Sequence, residues 1–293
     1  MANTFNTGTY AQAWATKLQE RLARPTNWKE VADVRYTDAR ILNLPYMSTT
    51  PSVQTGTAGT GISFQPFALT NSTVTMSTYR ELGIYIDRAD LAQVGYELQM
   101  DIADRQGQLI NEIVESLLLA EHANWTNLGD TGGGAVGLAS TALTVSASNV
   151  DNIIRAVKRE VRVANGWSQA QRNGLFIIWR PADFELLEEF VQANGFTVAD
   201  AALKDGTLEG LRYMGVDHYV SNDLAAGHLF AGVKRIEVLG ICRATWGQLN
   251  IIQNPSDAAA FNNLSGVGLH VRADIGFLAP GGLSSLIFDV NVS

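Results

Sequence analysis

The stretch ELGIYIDRADLAQVGYELQMDIADRQGQLINEIVESLLLA, residues 81–120, is the most regular part of the sequence. Its first seven residues carry the β-branched and aromatic side chains that favour a strand. A helix is predicted from about residue 97 to 121, because apolar residues then recur at the spacing of one helical face. The main row is Leu98, Ile102, Leu109, Ile113 and Leu117, widened by Ile110, Val114 and Leu118. At 1.5 Å per residue such a helix is on the order of 35–40 Å long.

The segment before this stretch, residues 45–80, is rich in Thr, Ser and Gly and contains no Lys, Asp or Glu. Its second half alternates loosely in the manner of strands, which predicts an extended hairpin projecting from the body. Disorder is the alternative, but Phe64, Phe67, Met76 and Tyr79 indicate that something packs against the segment.

The N-terminal region contains Tyr10, Trp14, Leu18 and Leu22, which lie four residues apart and predict a short amphipathic helix that ends before Pro25. Such a helix must bury its apolar face. It could dock on its own domain or lie as an arm on a neighbouring subunit, and the sequence leaves both open.

After the long helix, NLGDTGGGAVGLAS breaks the chain, and a second helix is predicted over about 149–164 with Ile153, Ile154, Val157 and Val161 inward. The continuous apolar run LFIIW, residues 175–179, predicts a buried strand. Pro181 then opens a further helix that ends at Gly195. This alternation of helix and strand indicates a compact α/β unit.

The last third of the chain is predicted to be mostly strand. Residues 206–224 suggest a turn and an exposed strand, and residues 228–241 contain further strand. The closing segments, 268–280 and 285–292, both alternate apolar and polar residues. With the helices, these strands give an α+β fold class.

Composition excludes several functions. With a net charge of −8, the chain is not a nucleic-acid binder of the basic-patch kind. Only 17% of its residues are charged, which is typical both of subunits that bury surface against other subunits and of large monomers. A single cysteine excludes an intramolecular disulfide, and no Cys/His set has metal-ligand spacing. The sequence shows neither a signal peptide nor a membrane span, so we expect synthesis in the cytosol.

Motifs of enzymes are weak or missing. Gly132, Gly134 and Gly137 match the G-x-G-x-x-G pattern of dinucleotide sites, but they follow a helix and precede a strand-like segment, so we interpret them as a turn. Neither a P-loop nor a nucleophile elbow is present.

The histidines and acids also favour structural roles. Each of the four scattered histidines is interpreted as structural: His122, His218, His228 and His270. His270 alternates with Arg272 and Asp274 on the polar side of a strand, at a solvated or subunit-facing edge.

Two sets of acids oppose apolar helix faces, where acids normally meet water or a partner: Glu185, Glu188 and Glu189, and Asp101 with Asp104. Cys242 is predicted to be a buried, inert thiol. No catalytic, cofactor-binding or metal-binding residue is therefore predicted, and no cofactor.

The order of these elements resembles the major capsid protein of tailed bacteriophages, the Hong Kong 97-like (HK97-like) fold. Residues 81–120 look like the passage from strand to spine helix in that family. LFIIWRPADFELLEEFV (175–191) is similar to the strand and helix of its axial domain, and GTLEGLRYMGVDHYVSND (206–223) to the segment that turns toward the capsomer centre. VRADIGFLAPGGLSSL (271–286) is similar to the closing strand.

The resemblance implies a domain organisation. Residues 1–44 would be an N-terminal arm with its amphipathic helix, and 45–80 an extended β-hairpin loop. Residues 81–130 and 261–293 would form the peripheral domain with the spine helix, and 131–260 the axial α/β domain.

The resemblance also implies a structural virion protein that is not an enzyme. It would assemble with itself into pentamers and hexamers, and these into an icosahedral capsid enclosing double-stranded DNA without sequence-specific binding. We expect assembly in the host cytoplasm and no membrane. Separate scaffolding, portal and decoration proteins are candidate partners. Family members that cross-link covalently use a loop lysine, but this chain has no lysine between Lys29 and Lys158.

Two alternatives stay open. An encapsulin-type shell shares the fold but houses a cargo enzyme. A soluble α+β enzyme would need a pocket that combines Glu185 or Asp217 with a histidine.

Overall fold

The computed structural model describes residues 26–47, 52–56, 64–87, 96–193, 212–246, 248–253 and 266–293. The predicted helix around Tyr10 to Leu22 and the predicted helix stop at Gly195 lie outside these residues. The described chain falls into two compact units. The smaller contains Glu81–Ile110 and Gly247–Arg272, and the larger contains Arg24–Arg80, Asn111–Trp246 and Ala273–Ser293.

Five α-helices lie within the described residues: α1 (Trp28–Val31), α2 (Tyr96–Ala120), α3 (Val150–Val163), α4 (Trp167–Asn173) and α5 (Pro181–Ala193). Short 3₁₀ turns cover Glu121–Asn124 and Ser284–Leu286. The predicted long helix, the helix over 149–164 and the start of the helix at Pro181 are confirmed within one or two residues as α2, α3 and α5. Helix α4 was not predicted. None of these helices is both long enough and apolar enough to cross a membrane.

Fourteen strands lie within the same residues. In chain order they are β1 (Asp33–Thr37), β2 (Ile41–Met47), β3 (Leu69–Thr75), β4 (Thr78–Asp87), β5 (Thr126–Asp130), β6 (Val136–Gly137), β7 (Leu175–Trp179), β8 (Arg212–Tyr213), β9 (Val216–Val220), β10 (His228–Val233), β11 (Val238–Cys242), β12 (Gln248–Gln253), β13 (Gly266–Leu278) and β14 (Ile287–Asn291).

The larger unit is built on a mixed seven-stranded sheet of order β6-β5-β14-β10-β7-β9-β8. Strand β7 lies between β10 and β9 and is buried along its whole length. Helix α3 buries its predicted apolar residues and contacts β10 and α5. The predicted alternation of strand and helix is therefore confirmed in this part of the chain.

A second sheet has the order β1-β11-β13-β12, with β4 also pairing with β13. In the larger unit β11 pairs in parallel with β1 and antiparallel with the last residues of β13. In the smaller unit β12 pairs antiparallel with the first half of β13.

Strands β2 and β3 form a hairpin whose register runs from Ile41 opposite Thr75 to Met47 opposite Leu69. One face is buried at Leu44 and Val74, which pack with Val238 of β11. The other face is exposed. The predicted hairpin is therefore present, and one of its faces is anchored on its own unit.

Two glycines make this anchoring possible, because a side chain at either position would overlap the hairpin. Gly240 of β11 lies opposite Gly276 of β13. A Cβ at 276 would overlap the backbone of Thr75, and a Cβ at 240 would lie 2.9 Å from Cε of Met76. The pair therefore forms a flat seat for Val74–Met76, and we call it the glycine seat.

The segment around α1 is fixed to the larger unit. Trp28 is fully buried and meets Trp246 edge to face at 6.1 Å. Asn27 donates its backbone N–H to Glu115 of α2 and its side-chain amide to the carbonyl of Val220. The described part of the predicted arm is therefore anchored from Asn27 onward.

The predicted apolar face of α2 is buried unevenly. Ile110, Val114 and Leu118 are buried, and Leu109, Ile113 and Leu117 are half-buried. The neighbouring Glu112 and Glu115 are buried too.

Strand β9 had been predicted to be exposed, but it lies inside the sheet between β7 and β8. Strand β13 is not an edge either, because β11, β12 and β4 pair with it. His270 and Arg272 are half-buried with nitrogens 3.9 Å from Glu81, and Asp274 is buried. Cys242 ends β11 half-buried instead of buried.

Replacing Gly276 by alanine should destabilise the protein by about 1–3 kcal/mol, because the new methyl group would displace the chain at Thr75. Urea unfolding of unassembled subunits measures this change. Gly107→Ala is the matched control, since Gly107 lies within α2 with open space around it and alanine favours helix. A Gly276 variant as stable as wild type would contradict the glycine seat.

Candidate functional site

The G-x-G-x-x-G segment forms the turn between β5 and β6, as predicted. The backbone N–H groups of Gly132 and Gly134 both donate to Oδ1 of Asp130, at 2.7 and 3.2 Å. These N–H groups are the ones that would bind a phosphate in a dinucleotide site. Because the carboxylate of the turn already occupies them, the turn is not built to receive an anion.

A shallow groove of about 280 Å³ lies beside this turn, lined in part by Arg155 and Arg159. Arg155 pairs with Asp151, and Arg159 bonds Glu160 and the carbonyl of Val136. Both guanidinium groups therefore have partners within the chain, and the groove offers no free cation for a substrate.

His218 is a structural histidine. It is fully buried, and the indole N–H of Trp179 donates to its Nδ1 at 2.9 Å. Nε2 therefore carries the proton and faces the carbonyl of Tyr213 at 3.3 Å. Burial lowers the pKa of His218 to about 4, so the ring is neutral at physiological pH.

Asp217 and Glu185, the acids considered for an enzyme site, lie in different environments. Asp217 bonds Lys234 at 2.8 Å and Arg212 at 3.0 Å. Burial alone would raise the pKa of Asp217, but the hydrogen bonds from Lys234 and Arg212 outweigh it and lower the pKa. Glu185 is exposed on α5.

The other predicted acids are near solvent. Asp104 and Glu189 are exposed, and Asp101 and Glu188 are half-buried. This agrees with the predicted solvated or subunit-facing helix faces and brings none of them into a common site.

Two buried carboxyls with raised pKa values were missed from the sequence. Glu115 accepts the N–H of Asn27 at 3.0 Å, and burial raises its pKa to about 7. Burial, and then the charge of Glu121, raises the pKa of Glu237 to about 8. The nearby Trp125 acts in the opposite direction and lowers the pKa of Glu237. Among the described residues, neither Oε2 of Glu237 nor the indole N–H of Trp125 makes a hydrogen bond.

The structure also brings together three residues that are far apart in sequence: His122, His228 and Asp289. Nδ1 of His228 lies 3.0 Å from both carboxylate oxygens of Asp289, and Nδ1 of His122 lies 3.6 Å from Oδ2. We call this group the histidine cluster. The sequence had assigned each histidine a separate structural role, because no spacing along the chain connects positions 122, 228 and 289.

Several exposed apolar side chains lie at the end of the β2–β3 hairpin. The residues of this apolar tip are Met47, Val53, Phe64, Phe67 and Leu69. Phe64 is 90% exposed, Leu69 65% and Phe67 63%. No Lys, Asp or Glu lies between residues 45 and 80, so the tip has little charge to keep it in water. Such a surface is typical of a protein interface.

Comparison with known proteins gives the fold. No family model matches the sequence, and no curated protein sequence matches it. Solved structures match over nearly the whole chain. One of Mycobacterium phage Che8 has 13% identity and a TM-score of 0.69, covering 98% of this chain and 98% of that one.

Two further matches are capsid structures. The capsid of Ralstonia phage GP4 has 8% identity and a TM-score of 0.65, covering 100% of this chain and 98% of that one. The capsid of a native GTA particle has 12% identity and a TM-score of 0.65, covering 98% and 96%. At these identities the matches establish the Hong Kong 97-like fold of phage capsid proteins for this chain.

The buried carboxyl of Glu237 predicts a pH-dependent stability. The folded protein holds this proton up to a pKa of about 8, and an ordinary glutamate holds it only up to 4.5. The folded state therefore binds the extra proton between these values, and Glu237 lowers stability by about 1.4 kcal/mol for each pH unit as the pH rises through them. Glu237→Gln should reduce this slope and stabilise the protein at pH 8.

Urea unfolding at pH 4, 6 and 8 tests this expectation. The exposed Glu185→Gln is the control and should unfold like wild type at each pH. If the stability of Glu237→Gln falls with rising pH as steeply as that of wild type, the burial of Glu237 without a compensating partner is contradicted.

Proposed function

We propose that this chain, which has the capsid fold, is the major capsid subunit of a tailed bacteriophage. Many copies would form pentamers and hexamers that close into an icosahedral shell around double-stranded DNA. The observation that carries the proposal is the apolar tip of the hairpin, which a single chain leaves in water. A second copy of the chain is the occupant that we propose for this surface.

The tip is suited to docking because hydrogen bonds connect two of its segments. Gln65 accepts the backbone N–H of Ser52 at 2.9 Å, and its own amide donates to the carbonyl of Ser52 at 2.9 Å. These bonds join the two described segments beyond the paired strands, 52–56 and 64–68. A surface ordered before binding loses less conformational entropy on association.

Burial of the tip can supply the free energy of assembly. Fully burying one large apolar side chain contributes about 1.5–3 kcal/mol. The tip offers several of them, and in a closed shell the same contact repeats in every subunit. The exposed middle of the hairpin is polar, with Asn43 and Thr73 at opposed positions, so the apolar contact is confined to its end.

The proposal keeps the domain organisation implied by the resemblance: an arm over 1–44, a loop over 45–80, a peripheral domain over 81–130 and 261–293, and an axial domain over 131–260. The anchoring of Asn27 and Trp28 refines the arm. These residues would be the fixed base from which the preceding part reaches a neighbour.

The shell would be held by non-covalent contacts, because residues 45–80 contain no lysine that could form a cross-link.

We infer that the role is structural and not enzymatic. Scaffolding, portal and decoration proteins would be separate chains. The subunit has a net charge of −8, so it would enclose DNA without binding it tightly. The virions would be assembled in the host cytoplasm.

Electron microscopy and light scattering of the purified chain should show shells or capsomers. A stable monomer under all conditions tried would contradict the proposal. Particles isolated from their source also distinguish two shells of the same fold, since a phage capsid contains DNA and an encapsulin-type shell contains a cargo protein.

Phe67→Asp should abolish or strongly reduce assembly, because a carboxylate at the apolar tip would have to be desolvated in the contact. The fold should be retained, since Phe67 is exposed in the single chain. The matched control is Thr73→Asp, which adds the same charge to the polar, exposed middle of the hairpin. Equal assembly of wild type and Phe67→Asp would exclude the tip as the docking surface.

A further inference from the structure

The histidine cluster joins three elements of the larger unit. His122 lies in the 3₁₀ turn that directly follows α2. His228 is the first residue of β10, and Asp289 lies in the adjacent antiparallel strand β14. The turn leads into β5, which pairs in parallel with β14. The end of α2 therefore lies next to β10 and β14, the strands that supply His228 and Asp289.

The distances within the cluster suit a small cation. A tetrahedral metal ion with ligand bonds of about 2.0–2.2 Å places its ligand atoms roughly 3.3–3.6 Å apart. The nitrogen-to-oxygen distances here are 3.0 Å from His228 and 3.6 Å from His122. All three ligand atoms lie within 4.8 Å of one another, with the two imidazole rings 4.1 Å apart.

Hydrogen bonding alone leaves the cluster incompletely satisfied. The single Nδ1–H that His228 can offer is shared between both oxygens of Asp289. Nδ1 of His122 is shielded from solvent and makes no hydrogen bond to any described residue. A cation would accept lone pairs from both imidazoles and neutralise the buried carboxylate, whose side chain is only 3% exposed.

We propose that His122, His228 and Asp289 bind a divalent first-row transition ion. Two imidazoles and one carboxylate are a ligand set that suits Zn²⁺, and related ions such as Co²⁺ bind the same donors. The histidine side chains are 25% and 27% exposed, so the ion enters from their side and a water completes its coordination. This differs from the expectation of no metal site, which rested on spacing along the chain.

The bound ion would have a structural role. It would tie the turn after α2 to β10 and β14 through three bonds and would stabilise the larger unit, because the unfolded chain does not hold the three residues together. The site lies within a single chain, so the inference does not depend on the proposed shell. Metal binding and particle assembly can fail separately.

Metal titration of the full-length chain tests the site. The chain is first treated with a chelator to remove bound metal. Co²⁺ should then bind at one ion per chain and show the visible absorption of a site with a low coordination number. Added Zn²⁺ should displace the Co²⁺. Zn²⁺ should also raise the melting temperature. His122→Ala and His228→Ala should each weaken Co²⁺ binding by at least about 100-fold, since loss of a direct ligand exceeds the roughly 10–100-fold effect of losing a supporting residue.

His270→Ala is the matched control. It removes another partly exposed histidine beside a carboxylate, with Nε2 3.9 Å from Glu81, and should bind Co²⁺ like wild type. Circular dichroism checks that the variants fold. The proposal is overturned if wild type binds no Co²⁺ or Zn²⁺, or if folded His122→Ala and His228→Ala both bind as wild type does. A variant that does not fold is replaced by His→Gln at the same position, and the same criteria then apply.

Discussion

The hairpin of this protein depends on a steric constraint at its base. Gly240 and Gly276 face each other across β11 and β13, and the space where their side chains would be is filled by Val74, Thr75 and Met76. One hairpin face is thereby closed against the sheet. The strands remain paired out to Met47 and Leu69, and the apolar tip is supported from a fixed base.

Polar groups in the larger unit hold two further segments in place: the one before α1 and the turn after α2. Glu115 receives the chain at Asn27 through a buried carboxylate, and the histidine cluster joins the turn after α2 to β10 and β14. Buried hydrogen bonds such as these favour one arrangement of the segments that they join. They position the segment before α1 and the central sheet, while the apolar tip is left for contacts outside the chain.

Secondary structure was predictable, and burial was predictable only in part. The helix expected over 97–121 is present as Tyr96–Ala120, and LFIIW forms β7 as expected. Helical periodicity shows that a face is apolar, but the neighbouring elements decide which face is covered. For this reason only part of the apolar face of α2 is fully buried, and β9 lies inside a sheet although its sequence favours an exposed strand.

The sequence alone determined the local properties: the order of helices and strands, the charge-poor segment 45–80 and its lack of lysine. These follow from side-chain chemistry and from repeats of two or about four residues, which act over short distances along the chain. Only the tertiary structure decided which distant residues meet. Gly240 opposite Gly276, and His122 beside His228 and Asp289, are pairings set by strand register and topology, and no pattern along the chain encodes them.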